Sequence, residues 1–559
     1  TYLFATIASL VMALMIPTAG TTSTVPDEQL NILKPPTTSA GGYSGVYFDD
    51  QKTLQRAFYY VESGPRDETR LRTYVTCTSA LAEPCKSDEN LSFETPLSPC
   101  SEVRMSDCLI RFSGGKDPNS LAPAQFVETV TVNTSGYGVE AAKRYFTPFT
   151  GDKARGIPDS GYPSIWRMSH LPHQGGDEYL VVAKMNAYLL DTAGRKPVNV
   201  DVGIFPISRV RGFQSDCFFN TMSECLVRWP FPAGAEIELA LKTNSRLVGW
   251  FYGRVTDPAI DVKKSESGES EITIRGKPTV VPIVAAWSKN EDLPSRLNQL
   301  IENEFNFRGK QFAGVCYFGC NTSERSQQVV NDERNPSFSA SSDYFERYLL
   351  WLEVVKDRAY ANKSTWSFRS LEDYAQYEKC IASSGVAGLV TTNSNAYIAT
   401  PPIFQNEELL YKVASPHYDS KGEVQIGTYD LAIRSDVARC IYGFDEAPIN
   451  ATLNVIYENG EAVNATTVVG EKNGWLYLSA KGFTYSSPTV KVKINQEKPA
   501  PVVSPTPTPS PTVNVPTVSE ATSSVSKNLS KKAITCIKGE KKKVLPKNQK
   551  KCPKGYKKA

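Results

Sequence analysis

The sequence predicts a mainly β, multidomain protein built from sandwich or jelly-roll lobes, a helical insert and a small immunoglobulin-like C-terminal β domain. Three observations carry this expectation. Between about 43 and 275, short runs rich in Val, Ile, Tyr and Phe alternate with Asp, Gly, Asn and Pro, which is the rhythm of strands and turns. Near residue 290 the apolar spacing changes to three and four, the period of an amphipathic helix. Twelve cysteines, several of them close neighbours along the chain, suit a disulfide-stapled fold in an oxidising compartment. At 559 residues the chain exceeds one ordinary core, and 40% hydrophobic with 22% charged residues is the composition of a folded protein with polar linkers.

Taken in order, TYLFATIASLVMALMIPTAG carries no charge and has an apolar run too short for a comfortable membrane span of about 20 residues. Small residues follow Pro17, so residues 1–20 are expected to be a signal peptide truncated at its start, with an uncleaved anchor as the alternative. Residues 21–42, rich in Thr, Ser, Pro and Gly, read as a flexible lead-in. Residues 43–275 form a β-rich region of one lobe or two, with runs such as EYLVVAKMNAYLLDTAG and NVDVGIFPISRV. Residues 276–385 are expected to hold a helical insert made of RLNQLIENEFNF (296–307), YFERYLLWLEVVKDRAYA (344–361) and LEDYAQYEKCIA (371–382). In the second of these, Phe345, Leu349, Leu352 and Val355 share a face that reads as core.

Residues 386–497 read as an immunoglobulin-like β domain, with strand-like runs separated by ENGE, EKNG and YSSP. Seven prolines between Pro499 and Pro516 mark residues 498–526 as an extended Pro/Thr/Ser linker. At about 3.1 Å per residue such a spacer reaches roughly 50 Å. The final module, 527–559, contains 13 lysines and one acidic residue. It therefore carries +12 against +3 for the whole chain, which leaves −9 on everything before it.

The cysteine spacings suggest pairs Cys77–Cys85, Cys100–Cys108, Cys217–Cys225, Cys316–Cys320 and Cys536–Cys552, with Cys380–Cys440 as the remaining long-range pair. Zinc competes weakly, because no CxxC occurs. The hydrolase elbow, the dinucleotide fingerprint, the phosphate loop, HExxH and the EF-hand pattern are all missing from the sequence. His170 and His173, with Asp177 close behind, form the one cluster to weigh as a metal site. Pro172 argues against a helix presenting both histidines, and a polar surface loop is the competing reading. No cofactor is expected, since no ligand spacing supports calcium.

Trp250, Tyr252 and Trp366 are candidates for stacking on sugars, weighed against structural use in strands. Lys541, Lys542, Lys543, Lys550 and Lys551 are the candidate contacts to anionic partners. Without a single arginine in the basic module, attraction should be diffuse and not bidentate. The carboxylate pairs Asp49/Asp50 and Asp177/Glu178, together with Glu224, are the material a glycoside hydrolase would need.

The stretches HYDSKGEVQIGTYDLAIRSDVARCIYGFDEAPINATLNVIYENGEAV, SRLVGWFYGRVTDPAIDV and the terminal ITCIKG…KKCPKGYKK resemble those of uncharacterised secreted, β-rich cell-envelope proteins of actinobacteria. The resemblance spans most of residues 200–559 and implies an extracellular or envelope location, without catalytic residues to carry over. The expected function is therefore a secreted, envelope-associated surface or adhesion protein. Its partners would be anionic cell-wall polymers or lipid headgroups, with glycans or other surface proteins as further options and no nucleic acid. The alternative is a secreted carbohydrate-active hydrolase on a sandwich scaffold.

Overall fold

The computed structural model describes residues 25–30, 33–36, 41–64, 74–88, 91–190, 198–214, 217–244, 247, 249–266, 268–308, 315–318, 324–332, 342–371, 378–381, 385–398, 402–406, 408–443, 449–456, 462–463, 466–485, 489–496, 535–538, 541–544 and 557–558. The signal segment 1–20 and the linker 498–526 lie outside the described residues. The chain divides into two units, Thr1–Lys498 and Pro499–Ala559. The protein is mainly β, with large multi-stranded sheets and few helices.

The strands that organise the first unit are β1 (Tyr43–Phe48), β2 (Glu178–Leu190), β3 (Asn199–Arg211), β4 (Gly249–Lys264), β5 (Ser270–Lys289), β6 (Ala361–Leu371), β7 (Val386–Thr392), β8 (Ile426–Arg434) and β9 (Trp475–Thr484). A continuous sheet runs Val75–Cys77, Tyr60–Ser63, Leu91–Pro96, β2, β3, β6, β4, β7, β8, β9, Thr466–Lys472. All of these pairs are antiparallel except β4 with β7. A second layer consists of Ala122–Pro123, Cys108–Gly115, Glu236–Thr243, the first half of β5 and the second half of β4.

The main core lies between these layers and includes Phe93, Phe112, Val181, Ile204, Ile237, Phe251, Ile274 and Trp366. The opposite face of the sheet is also covered, with Leu180, Val182, Phe205 and Leu226 packing against Leu54 and Val132. Strands buried on both faces lose the apolar–polar alternation, and for that reason LVVA and GIFPI read as continuous runs.

Two long strands pass from one layer to the other. β4 pairs with β6 and β7 up to Arg254, then with β5 from Val255 onward, across a bulge at Thr256/Ala259. Asp257 takes the bulge position with φ 54°, a left-handed conformation that aspartate tolerates better than most residues. β5 pairs with Glu236–Thr243 over residues 270–276, with β6 over 279–283 and with β1 over 284–289.

Region 276–385 carries its helices among further strands. It holds the second half of β5, strands Val315–Phe318 and Val329–Asp332, and β6, along with helices α1 (Ser295–Arg308) and α2 (Ser342–Val354). The helices cover β1 and β5, burying Leu297, Ile301, Phe345, Tyr348 and Trp351, with Leu349, Leu352 and Val355 half-buried beside them. α2 stops earlier than the periodicity predicts, because Lys356 and Asp357 both adopt positive φ and turn the chain into β6. Of the third predicted helix, only Glu378–Ile381 is described, and it is helical.

Residues from 386 onward supply two facing layers. β7, β8, β9 and Thr466–Lys472 continue the large sheet. The strands Glu408–Ala414, Thr489–Gln496 and Ile449–Ile456 form the other layer. Tyr397, Tyr411, Tyr429, Leu431, Leu478, Val490 and Val492 fill the space between. α3 (Ser435–Tyr442) closes one end, and the disulfide Cys380–Cys440 ties it to Glu378–Ile381.

Cys77–Cys85, Cys100–Cys108 and Cys217–Cys225 are also bonded, each at a separation of 8 residues. The expected pairs Cys316–Cys320 and Cys536–Cys552 involve Cys320 and Cys552, which lie outside the described residues. The flexible lead-in needs correction as well. Asp27–Gln29 form a short 3-10 turn, and Leu30 and Leu33 pack against Tyr47, Ile283 and Ala361.

Candidate functional site

The second unit contains three described strands, β10 (Thr535–Lys538), β11 (Lys541–Val544) and β12 (Lys557–Lys558). They form an antiparallel sheet with β10 in the centre, pairing Lys538 with Lys541, Cys536 with Lys543 and Cys536 with Lys558. Cross-strand partners share a face and successive residues alternate. The register therefore assigns positions 538, 541, 543 and 558, all lysines, to one face, and lysine positions 542 and 557 to the other. A sequence-local run of charge thus becomes a two-dimensional array. Like charges placed opposite one another, as at positions 538 and 541, destabilise a sheet. Lys550 and Lys551 lie outside the described residues.

The proposed sugar-stacking aromatics are not on the surface. Trp250, Tyr252 and Trp366 are each 1% exposed or less. Trp250 and Tyr252 belong to the core between β4, β7 and the Glu408–Ala414 layer, while Trp366 packs in the main core. β4 is paired with β6 and β7 along its edges and carries one core on each face, Phe251 on one side and Trp250 and Tyr252 on the other, so GWFYGR has no solvent face.

The metal cluster is likewise corrected. His170 Nε2 bonds Gly114 O at 3.0 Å, His173 Nε2 bonds Glu178 O at 2.9 Å, and Asp177 accepts the Ser169 hydroxyl at 2.7 Å. His173 is buried, and burial lowers its pKa despite Glu178 O and Asp177. Among the described residues no group of three His, Cys, Asp or Glu side chains could hold a metal ion. These side chains instead fix the loop that leads into β2.

The candidate carboxylates are engaged in ion pairs. Glu178 binds Arg167 and Arg209, and Arg209 also holds Glu128 and Glu224. Asp49 and Asp50 enter a buried polar network that nothing in the local sequence announces. Lys363 donates to Asp49 at 2.8 Å and to the Tyr47 hydroxyl at 3.0 Å, and Arg254 donates to Asp50 at 2.8 Å. Arg254 also reaches the carbonyls of Thr392 and Asn395, and Arg369 reaches that of Asp50. Arg228, fully buried over the rings of Phe205 and Phe218, donates from Nη2 to Ser364 O and Thr365 Oγ1.

Burial alone would raise the Asp49 carboxyl, but Lys363 and Arg228 more than offset it and hold the group below the usual carboxylate range. Burial pulls the Lys363 ammonium down even against Asp49. The network locks the turn after β1 onto β4 and β6.

Two open clefts mark the surface. One, of 850 Å³, lies beside α1 and β1 between Tyr43, Lys289, Asn298 and Glu302. The other, of 670 Å³, lies at the start of α3, where Arg434 is held by Asp436 and Arg439 by both oxygens of Glu471. The first is lined by three glutamates, Glu291, Glu302 and Glu324, against the single Lys289, whereas the charges lining the second balance one another. No helix among the described residues is long and apolar enough to cross a membrane. The fold and these sites define a disulfide-stapled, β-sandwich protein whose bonded cysteines suit an oxidising, extracellular setting. No family model, no curated protein and no solved structure matches the chain.

Proposed function

We propose that this is a secreted binding or adhesion protein of the bacterial envelope, of the actinobacterial group it resembles, whose basic C-terminal unit contacts anionic envelope polymers. The observation that supports the reading is the lysine array on β10, β11 and β12, within a +12 terminus that follows residues summing to −9 before Lys527. A lysine array presents point charges without a planar fork, which suits flexible polyphosphate chains better than a single rigid ligand. Screening should weaken the contact as salt rises, with a Debye length of about 8 Å at physiological ionic strength. The ion-paired carboxylates at Asp49, Asp50, Glu178 and Glu224 weigh against the hydrolase alternative. The test compares envelope retention of the full chain with that of a chain ending before Lys527. Retention should be lost on truncation, and equal retention of both would overturn the reading.

A further inference from the structure

Residues 27–30 and Leu33 lie in a groove that has the chemistry of a peptide-binding site. β6 pairs with β5 through residues 361, 363 and 365, so the N–H groups of Asn362 and Ser364 point to the other edge. There Asp27 Oδ2 accepts the Asn362 N–H at 2.7 Å and the Ser420 hydroxyl at 2.9 Å. Glu28 Oε1 accepts the Ser364 N–H at 3.0 Å. Leu30 O accepts the Tyr47 hydroxyl at 2.9 Å, and Leu33 O accepts the Trp287 indole N–H at 3.2 Å. Leu30 and Leu33 rest on an apolar floor made by Tyr47, Ile283 and Ala361.

The groove is also cationic at its base. Glu28 is 6% exposed and sits within electrostatic reach of Lys363 and Arg228, both fully buried. Arg228 Nε and Nη1 have no hydrogen-bond acceptor. A buried guanidinium with only part of its donors satisfied is costly, and a carboxylate nearby offsets part of that cost. Two edge N–H groups, one hydroxyl, a cationic floor and an apolar shelf thus recognise an acidic, leucine-bearing peptide whose carboxylates, presented from a 3-10 turn, accept the N–H groups of a sheet edge.

The segment joins the body through residues 34–42, KPPTTSAGG, which precede β1. No covalent link in the groove holds the segment there, and every contact named is equally available to an identical peptide from another molecule. Exchange of an identical element between protomers is a low-cost route to association.

We propose that this groove is a peptide-binding site for the acidic segment 25–36, filled within one molecule by its own copy and able to take the same segment of a second copy. Full-length chains bearing two different affinity tags are mixed, warmed briefly and purified through one tag. Wild-type copies should co-purify, and a synthetic peptide of residues 25–36 in tenfold excess should cut the captured partner about tenfold. The full-length Asp27→Ala/Glu28→Ala variant, with folding checked by its thermal transition, should not exchange with itself. A fluorescent 25–36 peptide should bind that variant more tightly than wild type, because its own segment competes less well. The proposal is overturned if wild-type copies never co-purify, if the peptide does not compete, or if the folded variant associates as wild type does.

Discussion

Replacing Asp430 tests the packing around the β4 bulge through its pH dependence. The residue is 4% exposed on β8 and accepts the Asp257 N–H at 3.4 Å. The Asp257 carboxylate is itself held by Lys277 and Lys481. Burial raises the Asp430 pKa, Ser479 and Lys481 partly oppose this, Asp257 adds to it, and the group moves from 3.8 to about 6. A carboxyl that binds its proton more tightly when folded contributes most below its unfolded pKa. That contribution is lost as pH rises from about 4 through about 6, leaving a constant penalty above.

A shift of about two units corresponds to about 3 kcal/mol. Asp430→Asn keeps the shape and removes the titration. The variant should match wild type near pH 4 and be more stable by up to about 3 kcal/mol at pH 7.5. Urea unfolding of both proteins across this range measures the difference, in which the other titrating groups cancel. Parallel stability curves, or a variant that is weaker at pH 7.5, would refute the reasoning.

Other substitutions probe the rest of the framework. Lys363→Met strands the fully buried Asp49 and should cost about 3–5 kcal/mol in urea unfolding, with Asp49→Asn in the same chain recovering much of the loss. Gly388→Ala would place a Cβ 2.2 Å from the Trp250 ring, so a loss of about 1–3 kcal/mol and a changed tryptophan fluorescence spectrum are expected. The Cys380–Cys440 bridge closes a separation of 60 residues against 8 for Cys77–Cys85. Replacing each pair by serine should cost about 4 and about 2.5 kcal/mol respectively if chain entropy dominates, as thermal unfolding can report.

Much of the framework was legible in the sequence because it depends on local chemistry. Eight-residue cysteine spacings fit a loop cysteine folding back onto a nearby strand, and three such pairs are bonded, with Cys77, Cys108 and Cys225 as the strand members. Helices α1 and α2 follow the apolar period read for them. The misreadings arise where distant partners decide the outcome. Trp250 and Tyr252 have the same letters on a surface or in a core, and only the facing layer that carries Leu409, Tyr411 and Val490 distinguishes the two.

The strand β5 runs through residue 276, where the helical region was expected to begin, and past Pro278 and Pro282. Pro282 falls opposite Asn362, whose N–H points away from β5 toward Asp27, so the missing proline donor removes no rung from that ladder. Asp49 and Lys363 lie 314 positions apart, and fully buried lysine is rare enough that composition gives no reason to expect it. The lysine-rich end was visible as charge, whereas its register on three strands was not.

The central claim is that the lysine array of the second unit binds anionic polymer. Its most direct test is the salt dependence of binding between the full-length chain and purified teichoic-type polyphosphate, with wild type beside Lys541→Gln/Lys542→Gln/Lys543→Gln. The account predicts binding that weakens steadily with added salt, and a triple variant that binds at least tenfold less tightly with a shallower salt slope. Equal affinity of the two proteins, or binding indifferent to salt, would contradict it.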